Sequence, residues 1–239
     1  MDLKLRDVAE LLNVSEATIR RWIANGKIPF YRLSHQFRFS RSEIENWVLS
    51  CKQGKEEFSP FDQDEGMKER LGTHQFGLYR AIFRGGVYQK VPGTTKEEVI
   101  RNAMERIALD LSLDADVITE LLLDRERLMP TALSNGIGVP HTRDFLLQES
   151  FDVVAVVFPE HSIEYGALDA QPVHTLFFLF ACDDKRHLHL LAKLAHLSRN
   201  PENLSFFRTH PDKTSLLEMI KHWEMNIKSK SVREPVLVG

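Results

Sequence analysis

The sequence predicts an α/β protein in two parts, a small helical unit at the N-terminus and a larger mixed unit after it. Three observations predict this arrangement. The chain of 239 residues is long enough for two domains. Apolar residues at helical spacing are interspersed with short apolar runs that suit buried strands. A polar, acidic stretch without a clear period separates the two parts.

These patterns divide the chain into four segments. We expect the N-terminal unit at residues 1–51, a linker at 52–72, the α/β unit at 73–228 and a flexible tail at 229–239. The linker carries Gly and Pro among many charged residues. Residues 71–93 leave two interpretations open, because they either begin the second unit or continue the linker.

Composition restricts the class of protein. Apolar residues make up 43% of the chain and charged residues 27%, as in soluble globular proteins. Cys51 and Cys182 lie far apart and form no CxxC pair, so we expect a reducing compartment, no structural zinc and no cofactor. The longest apolar runs, 153–158 and 176–182, are too short to span a bilayer. Because the N-terminus also lacks a signal-peptide pattern, we expect a cytoplasmic protein.

Charge is distributed unevenly along the chain. Residues 1–52 hold nine Lys and Arg against six Asp and Glu, a net charge of +3, whereas the whole chain carries −3, which leaves −6 for the rest. Residues 17–42 contain no acid, and their basic residues are Arg20, Arg21, Lys27, Arg32, Arg38 and Arg41. A basic patch at one end indicates a polyanionic partner for that end.

The N-terminal unit begins with two amphipathic helices. Their apolar stripes are Val8, Leu11 and Leu12, then Ile19, Trp22 and Ile23. Ser15 lies between the stripes and is a suitable N-cap for the second helix. When the second stripe points inward, Thr18, Arg20 and Arg21 are left on the outer side, where they can meet a DNA groove.

A hairpin and a third helix complete this unit. Residues 28–33 and 36–40 are short alternating segments, which predict a hairpin wing bearing Arg32 and Arg38 shortly after Lys27. A third helix is expected after the wing, because Ser-x-x-Glu forms a capping box there.

This order of features, over residues 3–50, resembles the excisionase-type branch of the MerR-like winged helix-turn-helix. The resemblance implies a recognition helix at residues 15–25 in the major groove of double-stranded DNA, with a wing near the backbone. The candidate DNA-binding residues are Thr18, Arg20, Arg21, Lys27, Arg32 and Arg38. The alternative is a helical module that binds protein and whose arginines are only solvated. Since one such module contacts little DNA, we expect a homodimer.

The second unit carries helix and strand signals in mixed order. A helix is expected to start at Thr94 or Thr95, where Thr94 and Glu97 fit a capping box. Asp114 can cap a second helix that ends before Pro130. Further on we predict strands at 151–158 and 173–181 and helices at 185–199 and 213–227.

An irregular loop at residues 129–143 contains the candidate nucleophile His141. Gly136 and Gly138 permit close approach of the backbone, and N–H groups there can cradle an anion. A neutral imidazole is a capable nucleophile toward a phosphoryl group. By itself the motif is weak, because a single loop histidine is more often structural.

Several segments place this histidine in a wider pattern. They are residues 123–128, 135–141, 163–173 and 187–195. In this order the stretch 94–226 resembles the type-2 enzyme IIA domain of the bacterial sugar phosphotransferase system, in its fructose/mannitol and nitrogen-regulatory branch. The resemblance implies an α/β sandwich in which His141 is phosphorylated by an HPr-like phosphocarrier. It also places Arg125 where the family has an active-site arginine.

The family's second histidine has two candidates here, His187 and His189. Helical periodicity separates them: His187 shares a face with Leu190, Leu191 and Leu194, whereas His189 shares the polar face with Lys193 and His196. We therefore assign His187 to the pocket. The alternatives are that His187 is a satisfied core histidine and that Arg125 forms only a helix-end salt bridge.

The loop departs from the family pattern. Ala132, Leu133 and Ser134 replace Gly-rich positions, and Thr142 follows His141, so the rate or the donor of phosphorylation is expected to differ.

Two functions from different classes follow from these features. The first is a DNA-binding transcriptional regulator whose phosphorylation on His141 alters DNA binding. The second is a regulatory phosphocarrier that binds or phosphorylates another protein, with the helix-turn-helix as an accessory docking module. In either case the chain is a phosphotransferase-system component with a phosphohistidine intermediate rather than a free-standing enzyme. A third possibility is a DNA-binding protein whose enzyme IIA part has lost phosphorylation and serves to dimerise it.

Overall fold

A computed structural model of the protein describes residues 2–12, 14–33, 35–50, 76–142 and 151–230. Within those ranges, no helix has both the length and the apolar character needed to cross a membrane. The predicted linker lies outside the described residues, as does most of the predicted tail.

The N-terminal unit is a winged helix-turn-helix. Its elements are β1 (Asp2–Lys4), α1 (Leu5–Leu12), α2 (Glu16–Ala24), β2 (Tyr31–Leu33), β3 (Gln36–Ser40) and α3 (Arg41–Ser50). The three strands form an antiparallel sheet in the order β1-β3-β2. The predicted wing is the β2–β3 hairpin. The edge strand β1 was not predicted, because three residues are too few to show an alternating pattern.

Local signals fix the helices of this unit. The Ser15 side chain accepts a hydrogen bond from the Thr18 backbone N–H at 3.1 Å, which caps α2 as expected. The Trp22 and Trp47 rings pack with centroids 5.6 Å apart, so α2 and α3 share one small core. The Trp47 indole N–H donates to the Lys27 carbonyl at 2.6 Å and ties α3 to the start of the wing.

The second unit is a sandwich of helices around a five-stranded sheet. Its elements are α4 (Gly77–Gly85), β4 (Val87–Val91), α5 (Lys96–Leu111), α6 (Ala115–Leu128), β5 (Ala132–Leu133), β6 (Ile137–Gly138), β7 (Val153–Pro159), β8 (Thr175–Phe180), α7 (Asp184–Leu197), α8 (Pro201–Phe207) and α9 (Lys213–Lys230). The strand order is β4-β7-β8-β6-β5. The β7–β8 and β5–β6 pairs are antiparallel, and the β4–β7 and β6–β8 pairs are parallel.

The sheet is covered on both faces, which explains the unbroken apolar runs. Every residue of β7 and β8 is buried. Alternate residues along β7 enter opposite cores: Val153 and Ala155 pack with α5 and α6, whereas Val154 and Val156 pack with α4, α7 and α9. This arrangement confirms the predicted α/β sandwich.

The N-terminal caps of α5 and α6 test two predictions of where these helices begin. The capping box predicted on Thr94 and Glu97 is wrong by one residue. Thr95 caps α5 and accepts from the Glu98 backbone N–H at 3.2 Å, while the Glu98 carboxylate accepts from the Thr94 and Thr95 N–H groups. The register shifts because Thr95, with extended backbone angles, is the last residue before the helical turn. Asp114 caps α6 as expected.

The described part of residues 71–93 belongs to the second unit. It forms α4 and β4, and α4 packs closely on β7. A side-chain Cβ at Gly85 would lie 2.3 Å from the Val154 carbonyl oxygen, so only glycine allows this approach. At the other end, α9 continues to Lys230, so the first two residues of the predicted flexible tail are helical.

The two units are in contact. Helices α1 and α3 pack on α7, and α3 also contacts β5. Buried apolar side chains form one continuous cluster that includes Val8 and Ile44 of the first unit together with Leu190 and Leu194 of the second. The contact involves α7, the helix that carries His187, and β5, a strand of the hairpin that precedes His141.

Candidate active site

His141 is held at the end of the central sheet by the backbone on both sides of it. It forms an isolated parallel bridge with Leu179 of β8, and the Leu179 N–H donates to the Pro140 carbonyl at 2.9 Å. Before it, the Val139 N–H donates to the Thr131 carbonyl at 3.0 Å. These contacts fix the position of the imidazole, which is only 1% exposed.

One contact defines the tautomer of the His141 ring. Its Nδ1 lies 2.7 Å from the Val139 carbonyl oxygen. A carbonyl oxygen only accepts, so Nδ1 carries the proton. The lone pair of the neutral ring is therefore on Nε2, which is the nitrogen that can attack a phosphorus atom.

His187 faces His141 from the first turn of α7. The Asp183 side chain caps this helix by accepting from the Arg186 N–H at 2.8 Å. His187 is 1% exposed, its ring centroid lies 5.0 Å from that of His141, and the two ring planes form an angle of 62°. His189 is partly exposed. The predicted orientation of His187 toward the body of the domain is therefore confirmed, while its chemical role stays a prediction.

Arg125 lies at the base of the loop that leads to His141. It is 4% exposed and near the end of α6, and its Nη1 donates to the Met129 carbonyl at 2.9 Å. The contact ties the helix to the residue that opens the loop. A role for Arg125 in binding a phosphoryl group stays a prediction.

Glu126 supports the same loop and was not predicted. Its buried carboxylate accepts from the Thr131 N–H at 3.1 Å, from the Thr131 hydroxyl and from the Tyr165 hydroxyl at 3.0 Å, and Lys96 Nζ lies 3.8 Å away. Burial raises the pKa of the Glu126 carboxyl above its ordinary value, although these partners oppose the shift. Because the Thr131 carbonyl in turn receives the Val139 N–H, Glu126 anchors the segment that carries His141.

The glycines of the loop serve close packing. Residues 132–138 form the β5–β6 hairpin, with Asn135 and Gly136 at positive φ angles of 65° and 78°. The Asn-Gly pair is a hairpin signal that the prediction of an irregular loop overlooked. A Cβ at Gly136 would lie 2.5 Å from His174 Cδ2. Burial lowers the pKa of His174 to about 4, so that ring is neutral near pH 7. The predicted anion cradle stays a prediction.

A second carboxylate reaches the site from the other unit. Glu45 of α3 is fully buried, and its Oε1 lies 3.9 Å from His187 Nε2 and 3.0 Å from Arg41 Nε. Glu45 was not predicted, because no local pattern in the sequence indicates that α3 contacts a histidine far along the chain. With this residue, the two imidazoles lie between a wall of the sandwich and the helix-turn-helix unit.

The predicted DNA-binding residues differ in their exposure in the structure. Arg20 and Arg21 are exposed on α2 as expected. The outward orientation predicted for Thr18 is wrong: its side chain is 7% exposed, with Oγ1 2.9 Å from the Ser15 hydroxyl oxygen. Because Ser15 is the N-cap, Thr18 is the third residue of the helix, and the two hydroxyls meet there.

The basic residues of the wing have aromatic and amide neighbours. The exposed Arg32 guanidinium lies 5.3 Å from the centroid of the Phe37 ring. Arg38 donates to the Gln36 side chain at 2.7 Å and is half-buried. Lys27 is also half-buried. Contact of these three residues with DNA stays a prediction.

The fold and the site together define a two-domain protein, a winged helix-turn-helix joined to an α/β sandwich with a buried histidine pair. Across the part of the chain that the structure describes, no group of three metal-binding side chains could hold a metal ion. The chain belongs to the family described as "Phosphoenolpyruvate-dependent sugar phosphotransferase system, EIIA 2", whose model matches residues 85–223. A second model, "Helix-turn-helix domain", matches residues 3–52. Both resemblances inferred from the sequence are thereby confirmed.

Individual relatives agree with these families. The chain is 31% identical over 146 residues to a nitrogen regulatory protein of Pseudomonas aeruginosa, and the match covers 60% of this chain and 94% of the relative. It is 33% identical over 78 residues to the transcriptional repressor DcmR of Methylorubrum extorquens, a match that covers 32% of this chain and only 29% of the repressor. The crystal structure of nitrogen regulatory protein IIA-Ntr from Neisseria meningitidis superposes with a TM-score of 0.53 at 21% identity, over 59% of this chain and 97% of that one, and shows the shared fold.

Proposed function

We propose that the protein is a DNA-binding transcriptional regulator whose enzyme IIA domain accepts a phosphoryl group on His141 from an HPr-type phosphocarrier. The observation that carries the proposal is the His141–His187 pair, with Nδ1 of His141 held by the Val139 carbonyl. We place this function in the cytoplasm, where DNA and a phosphocarrier would both be available.

The chemistry follows from the tautomer. The Nε2 lone pair of His141 attacks phosphorus while the P–N bond to the donor histidine breaks, and that electron pair returns to the donor ring. The Nδ1 proton of His141 stays hydrogen-bonded to the Val139 carbonyl throughout. Such transfer depends mainly on positioning and on positive charge or N–H donors for the phosphoryl oxygens. We assign these tasks to His187 and Arg125.

The helix-turn-helix unit supplies the DNA-binding half of the proposal. Arg20 and Arg21 project from α2, the helix that such domains place in the major groove. Lys27, Arg32 and Arg38 would contact the phosphate backbone from the wing and its approach. Because one unit contacts little DNA, we expect a homodimer. Phosphorylation adds roughly two negative charges to the attached domain, which gives the phosphotransferase chain a means to alter DNA binding.

A second candidate function is a regulatory phosphocarrier whose helix-turn-helix unit is a protein-docking module. The packing of α1 and α3 on α7 favours it, because this unit already binds a protein surface within its own chain. The two candidates differ in whether the exposed arginines of α2 contact DNA.

Phosphoryl transfer is tested with a ³²P-labelled carrier of the HPr type. We expect label on the wild type and on His189→Ala, a control on the partly exposed side of α7, and none on His141→Ala. Absence of label from the wild type and from every variant would contradict the phosphoryl-acceptor function.

DNA binding is tested separately by fluorescence anisotropy on duplex DNA at several salt concentrations, before and after phosphorylation. The regulator requires an affinity that falls with salt and that changes on phosphorylation. A salt-independent signal would favour the docking module.

A further inference from the structure

The helix-turn-helix unit lies on the surface next to the acceptor histidine. Helix α3 contacts both α7, which carries His187, and β5, which belongs to the hairpin that leads to His141. Helix α1 packs on α7 beside it. The first unit therefore packs both on the helix that carries His187 and on the hairpin that precedes His141.

The burial pattern of α7 indicates that this helix packs against a second layer in addition to the sheet. The buried side chains of this helix are His187, Leu188, Leu190, Leu191, Ala192, Leu194 and Leu197. At 3.6 residues per turn they span roughly 220° of its circumference. A helix that packs on one layer alone needs an apolar stripe of about 100°. Part of the arc faces the sheet beneath, and another part is covered by α1 and α3.

Glu45 introduces a negative charge next to the histidine pair. Its carboxylate is fully buried and lies 3.9 Å from His187 Nε2, and the His187 ring in turn lies 5.0 Å from the His141 ring. A phosphoryl group on His141 would add roughly two negative charges at this point. Arg41 Nε lies 3.0 Å from the same carboxylate and offsets part of its charge. The phosphoryl group adds more negative charge than this one cation can balance, so the phosphorylated site and the docked carboxylate oppose each other.

Access gives an independent reason for the same conflict. Transfer requires the reacting atoms to come within about 3 to 3.5 Å of each other along a defined line. His141 and His187 are each 1% exposed while the units are docked. A carrier protein cannot bring its phosphohistidine to Nε2 of His141 unless part of the structure that buries the pair moves, and Glu45 of α3 is part of what surrounds His187.

We propose that the helix-turn-helix unit is a built-in cover of the phosphoryl-acceptor site, docked through α1 and α3 with Glu45 against His187. Docking excludes the donor, and phosphorylation of His141 releases the unit. Arg20 and Arg21 stay exposed while the cover is in place, so the docked protein presents its DNA-binding helix α2 in one fixed orientation relative to the enzyme IIA domain. Release of the unit would abolish this fixed orientation. This inference rests on the proposed function, because it concerns regulation of the same site.

The test uses the full chain and a matched pair of charge reversals on α3. Glu45→Lys buries a cation beside Arg41 and His187 and should free the cover, whereas Glu43→Lys makes the same change at an exposed position. We expect ³²P transfer from the HPr-type carrier to be faster in Glu45→Lys by about fivefold to 150-fold, the usual range of coupling between sites. Transfer to Glu43→Lys should match the wild type.

Hydrogen exchange reports docking directly. Amides of α1, α3 and α7 should exchange faster in Glu45→Lys than in Glu43→Lys. The same amides should exchange faster in the wild type after phosphorylation than before it. This comparison uses the wild type alone, so it does not depend on whether a variant folds. His141→Ala treated with the same donor should show no change.

The outcomes separate the two proposals. Equal transfer rates in the two variants, faster transfer without faster exchange, or unchanged exchange in phosphorylated wild type each overturn the cover and leave the acceptor function standing. Label on Glu45→Lys alone supports a cover that closes the site completely. Absence of label from every variant overturns the acceptor function and the cover with it.

Discussion

Two buried carboxylates near His141 and His187 differ in how they are held. Glu126 belongs to the same domain as His141 and accepts hydrogen bonds from Thr131 and Tyr165. Glu45 comes from the other domain and has Arg41 on its own helix and His187 across the interface. The first carboxylate is part of the fixed wall of the site, and the second arrives only when the domains dock.

This difference shows which part of the site can change. Removing Glu126 would leave buried donors on the loop without their acceptor, so the wall cannot open without a large loss of free energy. Withdrawing Glu45 exposes its own carboxylate and the His187 imidazole to water. Because water hydrates both groups, neither is left buried without a partner. The side of the site formed by α3 is therefore the side that can open.

The largest effect that distinguishes the two carboxylates is on stability. Glu126→Ala should lower the free energy of unfolding by about 4 kcal/mol, because the Thr131 N–H and the Tyr165 hydroxyl each lose a buried acceptor worth about 1 to 3 kcal/mol. Glu45→Ala should cost clearly less, because the freed groups reach water when the units separate. Urea denaturation followed by circular dichroism measures both values. Equal losses would mean that the two carboxylates are equally fixed.

The elements that position the site were largely predictable from local patterns. Ser15 and Asp114 cap helices where the sequence indicates, and His187 was distinguished from His189 by helical periodicity alone. The outward orientation that helical periodicity predicted for Thr18 is wrong, because the Thr18 hydroxyl turns back to the capping Ser15.

Contacts between distant parts of the chain were not predictable. Glu45 approaches His187 only through the packing of two domains, and Glu126 contacts Tyr165, which lies 39 residues further along the chain. A single sequence contains no periodicity that reports such a pair. The family resemblance indicated the two histidines and Arg125, but it did not indicate Glu45 or Glu126.

A smaller effect concerns pH, and it has opposite signs at two glutamates of the second domain. Burial raises the folded-state pKa of Glu126, so its protonated form is favoured on folding, and stability falls as pH rises from the unfolded pKa through the folded one. Hydrogen bonds from Thr94 and Thr95 lower the pKa of the exposed Glu98, so its contribution is lost as pH falls through the folded value.

Glu126→Gln and Glu98→Gln should therefore show opposite trends against the wild type. As pH rises above 4.5, the ordinary value for both groups, stability of the wild type should fall relative to Glu126→Gln. As pH falls below 4.5, the stability advantage of the wild type over Glu98→Gln should disappear. Thermal unfolding over this range gives both differences. Parallel trends would show that the Glu126 carboxyl is hydrated in solution.

The smallest effect isolates one hydrogen bond of the wall. Tyr165→Phe removes the hydroxyl that donates to Glu126 at 3.0 Å inside the domain, and Tyr88→Phe removes one that donates to Asp110 at 2.7 Å on the surface. We expect a loss of about 1 kcal/mol at Tyr165, since buried carboxylate bonds are stronger than bonds open to water, and a smaller loss at Tyr88. Urea denaturation of the two variants measures the difference. If Tyr165→Phe were neutral, Glu126 would be held by Thr131 and Lys96 alone, and the wall would be less rigid than its buried contacts indicate.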